Sequence, residues 1–451
     1  MKEKLNDLFS NTFIAFNKYF VRLKKENRFI FAYIEFPTRE EFLEYDKELY
    51  ELVVIEEVSH KKQCTLLECE KYGTEASRGI IKIKYRVDRI LDDVLNDLNM
   101  EFIDDAEVTF DDINWFINDK NSFEFDPLKS CVNTKEYVSE YKSSIGKIII
   151  FKSFSFAEKK DNFNIGSDIV FRFVFDKKLD YHEFRKRIYC FRNLLLILGR
   201  RHIDFKEIKI NSKYLYDCFD EYTYKPINNR YCEYLDHHTI TIGSIDKFGD
   251  AVSKYFKIYD TIISIIDSYF CNLQYTLPVK VKFINVCTMI EDYANIFLVD
   301  ESKKYREKEA TNNKQKYITN VVNKMLEEKV IDETKVDIVT NILDAEVKKD
   351  MSLSFKDKVI SIIKRVNESF KFADSEIELI ADNFREARKR FVHKGIIASE
   401  EICPILEMYC YFIEDVIYLN ILSEIGIDIS NSVFECIEYN YVKDDLIIVF
   451  K

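Results

Sequence analysis

The spacing of apolar residues changes once along the chain. Up to about residue 245 it is mostly two: Ile81-Lys-Ile-Lys-Tyr85 alternates, and Phe171-Arg-Phe-Val-Phe175 reads as a strand with one buried face. Runs rich in Ile, Val, Phe and Tyr predict strands over Phe29–Phe36, Leu52–Glu57, Thr65–Glu70, Ile80–Arg86, Lys147–Phe154 and Ile169–Phe175. Two helices are expected among them, Lys2–Lys25 and Tyr181–Leu198, the second with Gly199 at a C-cap position.

From Asp246 the spacing becomes helical. Phe248–Phe270, Val279–Phe297, Gln315–Glu328, Phe355–Phe370, Glu376–Val392 and Ser399–Ile425 are predicted helices. Pro278 stands where a first-turn proline is tolerated, Asp374 or Ser375 is placed to cap, and Gly395 and Gly426 act as stops. Phe434–Phe450 alternates like a short hairpin around Lys443-Asp-Asp445. No Gly/Pro/Ser-rich tether separates the halves. The expected fold class is α+β: a β-rich N-terminal domain over residues 1–245, then an all-α helical bundle over 246–451.

Composition removes several kinds of chemistry. With 47% hydrophobic and 32% charged residues the chain can bury a core and is not disordered. Its 9 glycines include no Walker A pair and no G-x-G-x-x-G triplet, which argues against nucleotide-dependent chemistry by those routes. A net charge of −12 speaks against a non-specific nucleic-acid coat but leaves room for a local basic site. The apolar stretches Phe29–Ile34 and Met408–Ile413 fall far short of the roughly 20 residues that span a bilayer, and the first residues do not read as a signal peptide. A cytoplasmic protein with no membrane association is expected, its 11 cysteines reduced and mostly buried. Cys232 precedes His237 and His238, but a second pair of ligands at zinc spacing is missing, so neither metal nor cofactor is expected.

The most informative stretch is Asn383-Phe-Arg-Glu-Ala-Arg-Lys-Arg-Phe-Val-His-Lys-Gly395, where Arg385, Arg388, Lys389, Arg390 and Lys394 surround His393 and only Glu386 opposes them. An imidazole moves protons near neutral pH, and a guanidinium grips a phosphoryl oxygen through paired hydrogen bonds, so the set suits phosphodiester chemistry. Arg388-x4-His393 fits an R-x4-6-H signature. With 18 arginines and 6 histidines the spacing alone discriminates poorly, and Arg230-x6-His237 matches too. Arg230 lies in a polar, turn-like segment, whereas Arg388 and His393 close a capped helix. Geometry adds a difficulty: residues five apart on an α-helix project roughly 140° apart. Either the last turn unwinds or Arg388 meets the histidine of a second subunit.

Beyond that motif, the chain resembles the ApeA-like HEPN proteins, bacterial anti-phage ribonucleases. Ile284-Asn-Val-Cys-Thr-Met-Ile-Glu-Asp-Tyr293 is similar to the family's first core helix, whose acidic residue falls on Glu291. Phe384–Gly395 is similar to its catalytic helix, with Lys389 where Asn or another small polar residue is common. Thr65-Leu-Leu-Glu-Cys69, Phe191–Arg201 and Asn114-Trp-Phe116 resemble blocks of its β-domain. The resemblance implies a HEPN bundle acting as a metal-independent endoribonuclease of abortive infection, with Arg388 and His393 catalytic and Glu291 and Lys389 in support. Arg385, Arg390 and Lys394 would contact RNA, a structured RNA such as tRNA being a candidate. It also implies a homodimer with a composite active site and leaves room for a phage-derived trigger, the N-terminal domain being expected to sense, to regulate or to present substrate.

Plainer readings stand beside these. His393 can serve as a helix C-terminal cation, Glu291 as an ordinary solvated residue, and Lys303–Lys316 as a solvated loop. The alternative function is a non-catalytic dimerisation or RNA-binding module whose N-terminal domain senses a ligand or a phage protein.

Overall fold

The computed structural model describes residues 12–15, 19–26, 29–45, 52–58, 62–77, 80–95, 101–111, 113–117, 135–159, 162–200, 203–217, 240–274, 277–299, 315–350, 353–393 and 403–428. The fold class is α+β. The chain divides into two units, residues 1–256 and 257–451, against an expected change at 245/246; the division falls within the helix Phe248–Gln274.

The first unit is built on twelve antiparallel strands: β1 Phe13–Ala15, β2 Tyr19–Glu26, β3 Phe29–Phe36, β4 Leu52–Glu57, β5 Gln63–Ser77, β6 Ile80–Leu91, β7 Ile103–Phe110, β8 Lys135–Ser143, β9 Gly146–Lys159, β10 Asn162–Leu179, β11 Phe205–Ile210 and β12 Lys213–Asp217. They run in the order β3-β2-β1-β4-β5-β6-β12-β11-β7-β10-β9-β8. A further pairing of β3 with β6, in register Ile30↔Val87 through Phe36↔Ile81, closes the first six into a barrel. Closure removes the sheet edges that an open six-stranded sheet would expose. Phe13, Val21, Leu23, Ile34, Phe36, Ile55, Leu66, Ile83 and Val87 fill the interior.

This barrel corrects the expected helix over Lys2–Lys25. Residues 1–11 and 16–18 lie outside the described residues, and the described part holds β1 and β2, with Tyr19, Val21 and Leu23 buried while Phe20, Arg22 and Lys24 are exposed. That is a period of two. Interspersed Lys and Asn gave the segment an amphipathic look, but ring closure selects the alternating face. Strands β7, β8, β11 and β12 and the helix α1 Arg39–Tyr45 add to the expected elements.

Helix α2, Tyr181–Gly199, packs on the extension of the sheet. Asp180 caps it by accepting the Glu183 N–H at 2.8 Å. Its buried Phe191 sits edge-on to Phe171 and Phe173, with ring centroids 5.3 and 4.9 Å away. The left-handed residue at its end is Arg200 (φ 49°) and not Gly199. Gly199 has another reason to be glycine: a Cβ there would lie 2.4 Å from the Trp115 ring. Two of the quoted sequence blocks, Asn114–Phe116 and Phe191–Arg201, thus meet in space.

The second unit is helical. After α3 Phe248–Gln274 come α4 Val279–Phe297, α5 Gln315–Glu327, α6 Val336–Asp350, α7 Phe355–Arg365, the single turn α8 Asn367–Phe370, α9 Asp374–Arg388 and α10 Cys403–Glu424. Helix α10 is buried on nearly every side and packs against α4 and α7. An all-round apolar helix belongs at the centre of a bundle. Two of its buried polar side chains are hydrogen-bonded: Asn420 donates to the carbonyls of Ile362 and Val416, and Glu414 accepts from Asn272 at 2.8 Å. Helix α6 was not expected. Residues 434–450, the predicted hairpin, lie outside the described residues.

Candidate active site

Helix α9 brings most of the predicted site residues. Ile377, Ile380, Ala381, Phe384 and Ala387 are buried at helical spacing, and Phe384 stacks on Phe283 of α4 at 5.9 Å between centroids. The helix starts at Asp374, after Ala373, whose N–H donates to the Glu376 carboxylate at 2.7 Å; neither Asp374 nor Ser375 is the cap residue. Asn383 is buried and donates to the Tyr409 hydroxyl at 2.9 Å, while burial pushes that phenol up to about 12 and keeps it neutral. This bond fixes the rotation of α9 about its axis.

After Arg388 the helix changes pitch. Lys389–His393 form a π turn, with Phe391 buried. Hydrogen bonds in such a turn run between residues five apart, so residues five apart come roughly one above the other. The α-helical separation of roughly 140° is removed, and backbone positions 388 and 393 lie on the same side.

Arg388 is held from two directions. Its guanidinium forms an ion pair with Glu291 of α4, and its Cζ lies 4.5 Å from the centroid of the Phe355 ring. Phe355 is the first residue of α7, fixed there by a capping box in which the Ser354 hydroxyl accepts the Asp357 N–H and the Asp357 carboxylate accepts the Ser354 N–H, each at 3.2 Å. The pair is only partly buried, with Arg388 25% and Glu291 37% exposed, so a solvent-borne anion can reach the guanidinium. One turn before Glu291, burial raises the Cys287 thiol to about 12, which leaves it an inert packing residue and no nucleophile.

The other predicted residues divide. Arg385 is paired with Asp382 at 3.1 Å and Arg390 with Glu386 at 3.2 Å, one turn apart along the same helix. Lys389 is exposed on the π turn. The backbone of His393 belongs to that turn; its side chain, and Lys394 entirely, lie outside the described residues, as do Arg230, Cys232, His237 and His238. Sequence reasoning missed Phe355 and Asn383. The signal for the first was Ser354-Phe-Lys-Asp357, a capping box with an aromatic in its first turn. For metals, no group of three or more His, Cys, Asp or Glu side chains is assembled among the described residues.

Residues 34–257 match the family ApeA N-terminal domain 1. Over that span the chain is ApeA-like. The match runs from the end of β3 to the first turns of α3, so it covers most of the first unit and none of α4, α7 and α9. No curated protein and no solved structure matches the chain. No described helix is long and apolar enough to cross a membrane.

Proposed function

We propose that this ApeA-like protein is a cytoplasmic, metal-independent endoribonuclease of anti-phage defence, with its site on the helical unit at the end of α9. The observation that carries the reading is the π turn. It puts the Arg388 and His393 backbone positions on one side of one helix, next to a guanidinium already oriented by Glu291 and Phe355.

In this chemistry the His393 imidazole removes the proton of a ribose 2′-hydroxyl as that oxygen attacks the adjacent phosphorus. Arg388 balances the charge building on the phosphoryl oxygens. The bond to the 5′-oxygen breaks, that oxygen takes up a proton, and the products are a 2′,3′-cyclic phosphate and a free 5′-hydroxyl. RNA supplies the nucleophile, so DNA is not a substrate. Glu291 orients Arg388, and Lys389 adds positive potential. A homodimer with a composite cleft remains part of the proposal on the strength of the family resemblance. The π turn also supports a reading in which the two positions of a single chain work together.

The test is incubation of the purified chain with total cellular RNA, with and without chelator, followed by mapping of the ends. Cleavage that survives chelation, leaves cyclic phosphates and vanishes in both Arg388→Ala and His393→Ala supports the assignment. Full cleavage by folded His393→Ala protein overturns it.

A further inference from the structure

The outside of the barrel carries a face that the packing of its core does not explain. Strands β2, β3 and β6 pair side by side, and β5 lies against β6. On β3 the residues Ile30, Ala32, Ile34 and Phe36 fill the interior, so the alternate residues Phe29, Phe31 and Tyr33 point outward. On β2 the outward residues include Phe20, Arg22 and Lys24, with Arg22 opposite Tyr33 and Lys24 opposite Phe31.

Most charges on this face are paired with one another. Lys84 of β6 is bonded to Glu26, whose carboxylate also accepts from the Tyr33 hydroxyl. Lys82 is met by Glu35 at 2.8 Å and has Glu75 opposite it on β5. Arg86 is met by Glu70 at 2.6 Å and Asp88 at 3.4 Å. Arg22 and Lys24 differ: both are exposed, and neither is ion-paired with a carboxylate among the described residues. The face as a whole is close to neutral, but along β2 two cations are free to take a phosphate with no carboxylate to displace.

Two solvent-facing rings flank those cations. Phe20, two residues before Arg22, is 58% exposed, and Tyr72 of β5 is 61% exposed. Tyr72 is the extra residue of a bulge, since Lys71 pairs with Tyr85 and Gly73 with Lys84. A bulge re-aims a side chain out of the regular ladder. The Tyr72 ring rests on Phe31 at 5.1 Å between centroids, with Lys84 Nζ 5.3 Å from its centre, which holds it in place while most of it stays in water. Phe20 and Tyr72 are three inter-strand steps apart, about 14 Å. That span suits the shortest single-strand sites on barrels, about four nucleotides. Exposed rings favour a flat partner and the free cations an anionic one. Single-stranded nucleic acid supplies both, in bases and phosphates, whereas an acidic peptide supplies only the charge.

We infer that this outer face of the barrel binds single-stranded RNA, with Phe20 and Tyr72 stacking on bases and Arg22 and Lys24 contacting phosphates. It rests on the proposed ribonuclease reading only for the choice of RNA, and it makes the N-terminal unit a substrate-holding element.

The experiment uses the full chain and a fluorescein-labelled, fully 2′-O-methylated single-stranded RNA of mixed sequence. That probe lacks the attacking hydroxyl, so binding is read apart from cleavage. Arg22→Ala/Lys24→Ala should weaken binding about tenfold and lower the slope of log K against log salt by about 1.4, as expected for two lost phosphate contacts on a single strand. Phe20→Ala and Tyr72→Ala should each weaken binding about tenfold and leave the salt slope unchanged, because stacking releases no counterions. Phe20 meets no other ring among the described residues, so Phe20→Ala is read alone if Tyr72→Ala does not fold. Unchanged affinity in folded Arg22→Ala/Lys24→Ala or Phe20→Ala protein overturns the proposal. Poly-glutamate displacing the probe as well as unlabelled RNA does also overturns it, because the face would then be a site for acidic protein. A chain that binds the probe through these residues but leaves ordinary RNA intact supports the face and refutes the nuclease reading alone.

Discussion

Glu68 and Glu291 both hold arginine, one in each unit, but in different settings. Glu68 is 19% exposed and lies between two guanidiniums, one of them, Arg89, only 3% exposed and also bound to Tyr189. Glu291 is 37% exposed and serves a single guanidinium that is itself accessible. An ion pair withdrawn from water is hard to break, because whichever partner remains is left charged and poorly solvated. A pair at the surface contributes little stability, and water or another anion can replace its carboxylate. The first arrangement ties a helix to a sheet; the second joins two helices through a pair that water reaches from both partners. Arginine–glutamate contact alone therefore does not identify a site. The difference lies in the carboxylate and in Arg89 and not in every guanidinium, since Arg185 is 42% exposed and Arg388 25%.

The contrast is sharpest when each arginine is removed. Arg388→Ala should lower RNA cleavage by about 100- to 1000-fold while changing stability by less than about 1 kcal/mol. Arg89→Ala should destabilise the first unit by about 3–5 kcal/mol, a fall in Tm on the order of 10 °C by calorimetry. Equal losses of stability in the two variants would erase the distinction.

How much of this contrast was legible in the sequence depends on distance along the chain. Helix α4 was read at its true bounds, and α2 within one residue, because their apolar stripes run unbroken to the ends. Strands β3 and β4 were read at their observed bounds as well. Strand β7, Ile103-Asp-Asp-Ala-Glu-Val-Thr-Phe110, was missed because its acids obscure the alternation. Helix α6 was missed because its apolar residues Ile338 and Ile342 are exposed and mark no buried stripe. The strands read as a helix near the N-terminus needed knowledge of barrel closure, which no local pattern carries. At the site, the basic stretch around His393 was plain from spacing and composition. The contact of Arg388 with Glu291 spans 97 residues of sequence, and that with Phe355 joins a third helix, so neither is visible in a local window.

Glu291→Gln is the next test in size. It keeps an oxygen facing Arg388 but removes the charge, and cleavage should slow about tenfold, through looser orientation of the guanidinium, with no change in Tm. Faster cleavage would mean that Glu291 competes with the substrate phosphate and does not orient its partner.

The smallest effect concerns Asp88, beside the Glu68 cluster. Burial raises its folded pKa to about 6, with Glu68 adding to the shift and Arg86 and Arg89 opposing it. A raised carboxylate pKa means that the folded chain holds the proton more tightly than the unfolded one. The associated stability is present below about pH 4 and is lost as pH rises towards 6. Asp88→Asn should flatten the pH dependence of Tm across that window and leave the protein slightly more stable at pH 7. An unchanged profile between pH 4 and 6 would show that Asp88 does not titrate there.

The π turn at Lys389–His393 changes what a motif of this kind specifies. Five positions bring two backbone positions into phase only where the helix widens; seven would do so over two ordinary α turns, since seven steps of about 100° return almost to the starting direction. What the spacing sets is phase rather than length. A one-residue deletion inside the turn, usually expected to destroy a site, would leave arginine and histidine four apart on an α-helix and still neighbours, whereas forcing the existing five into α pitch would separate them without removing an atom.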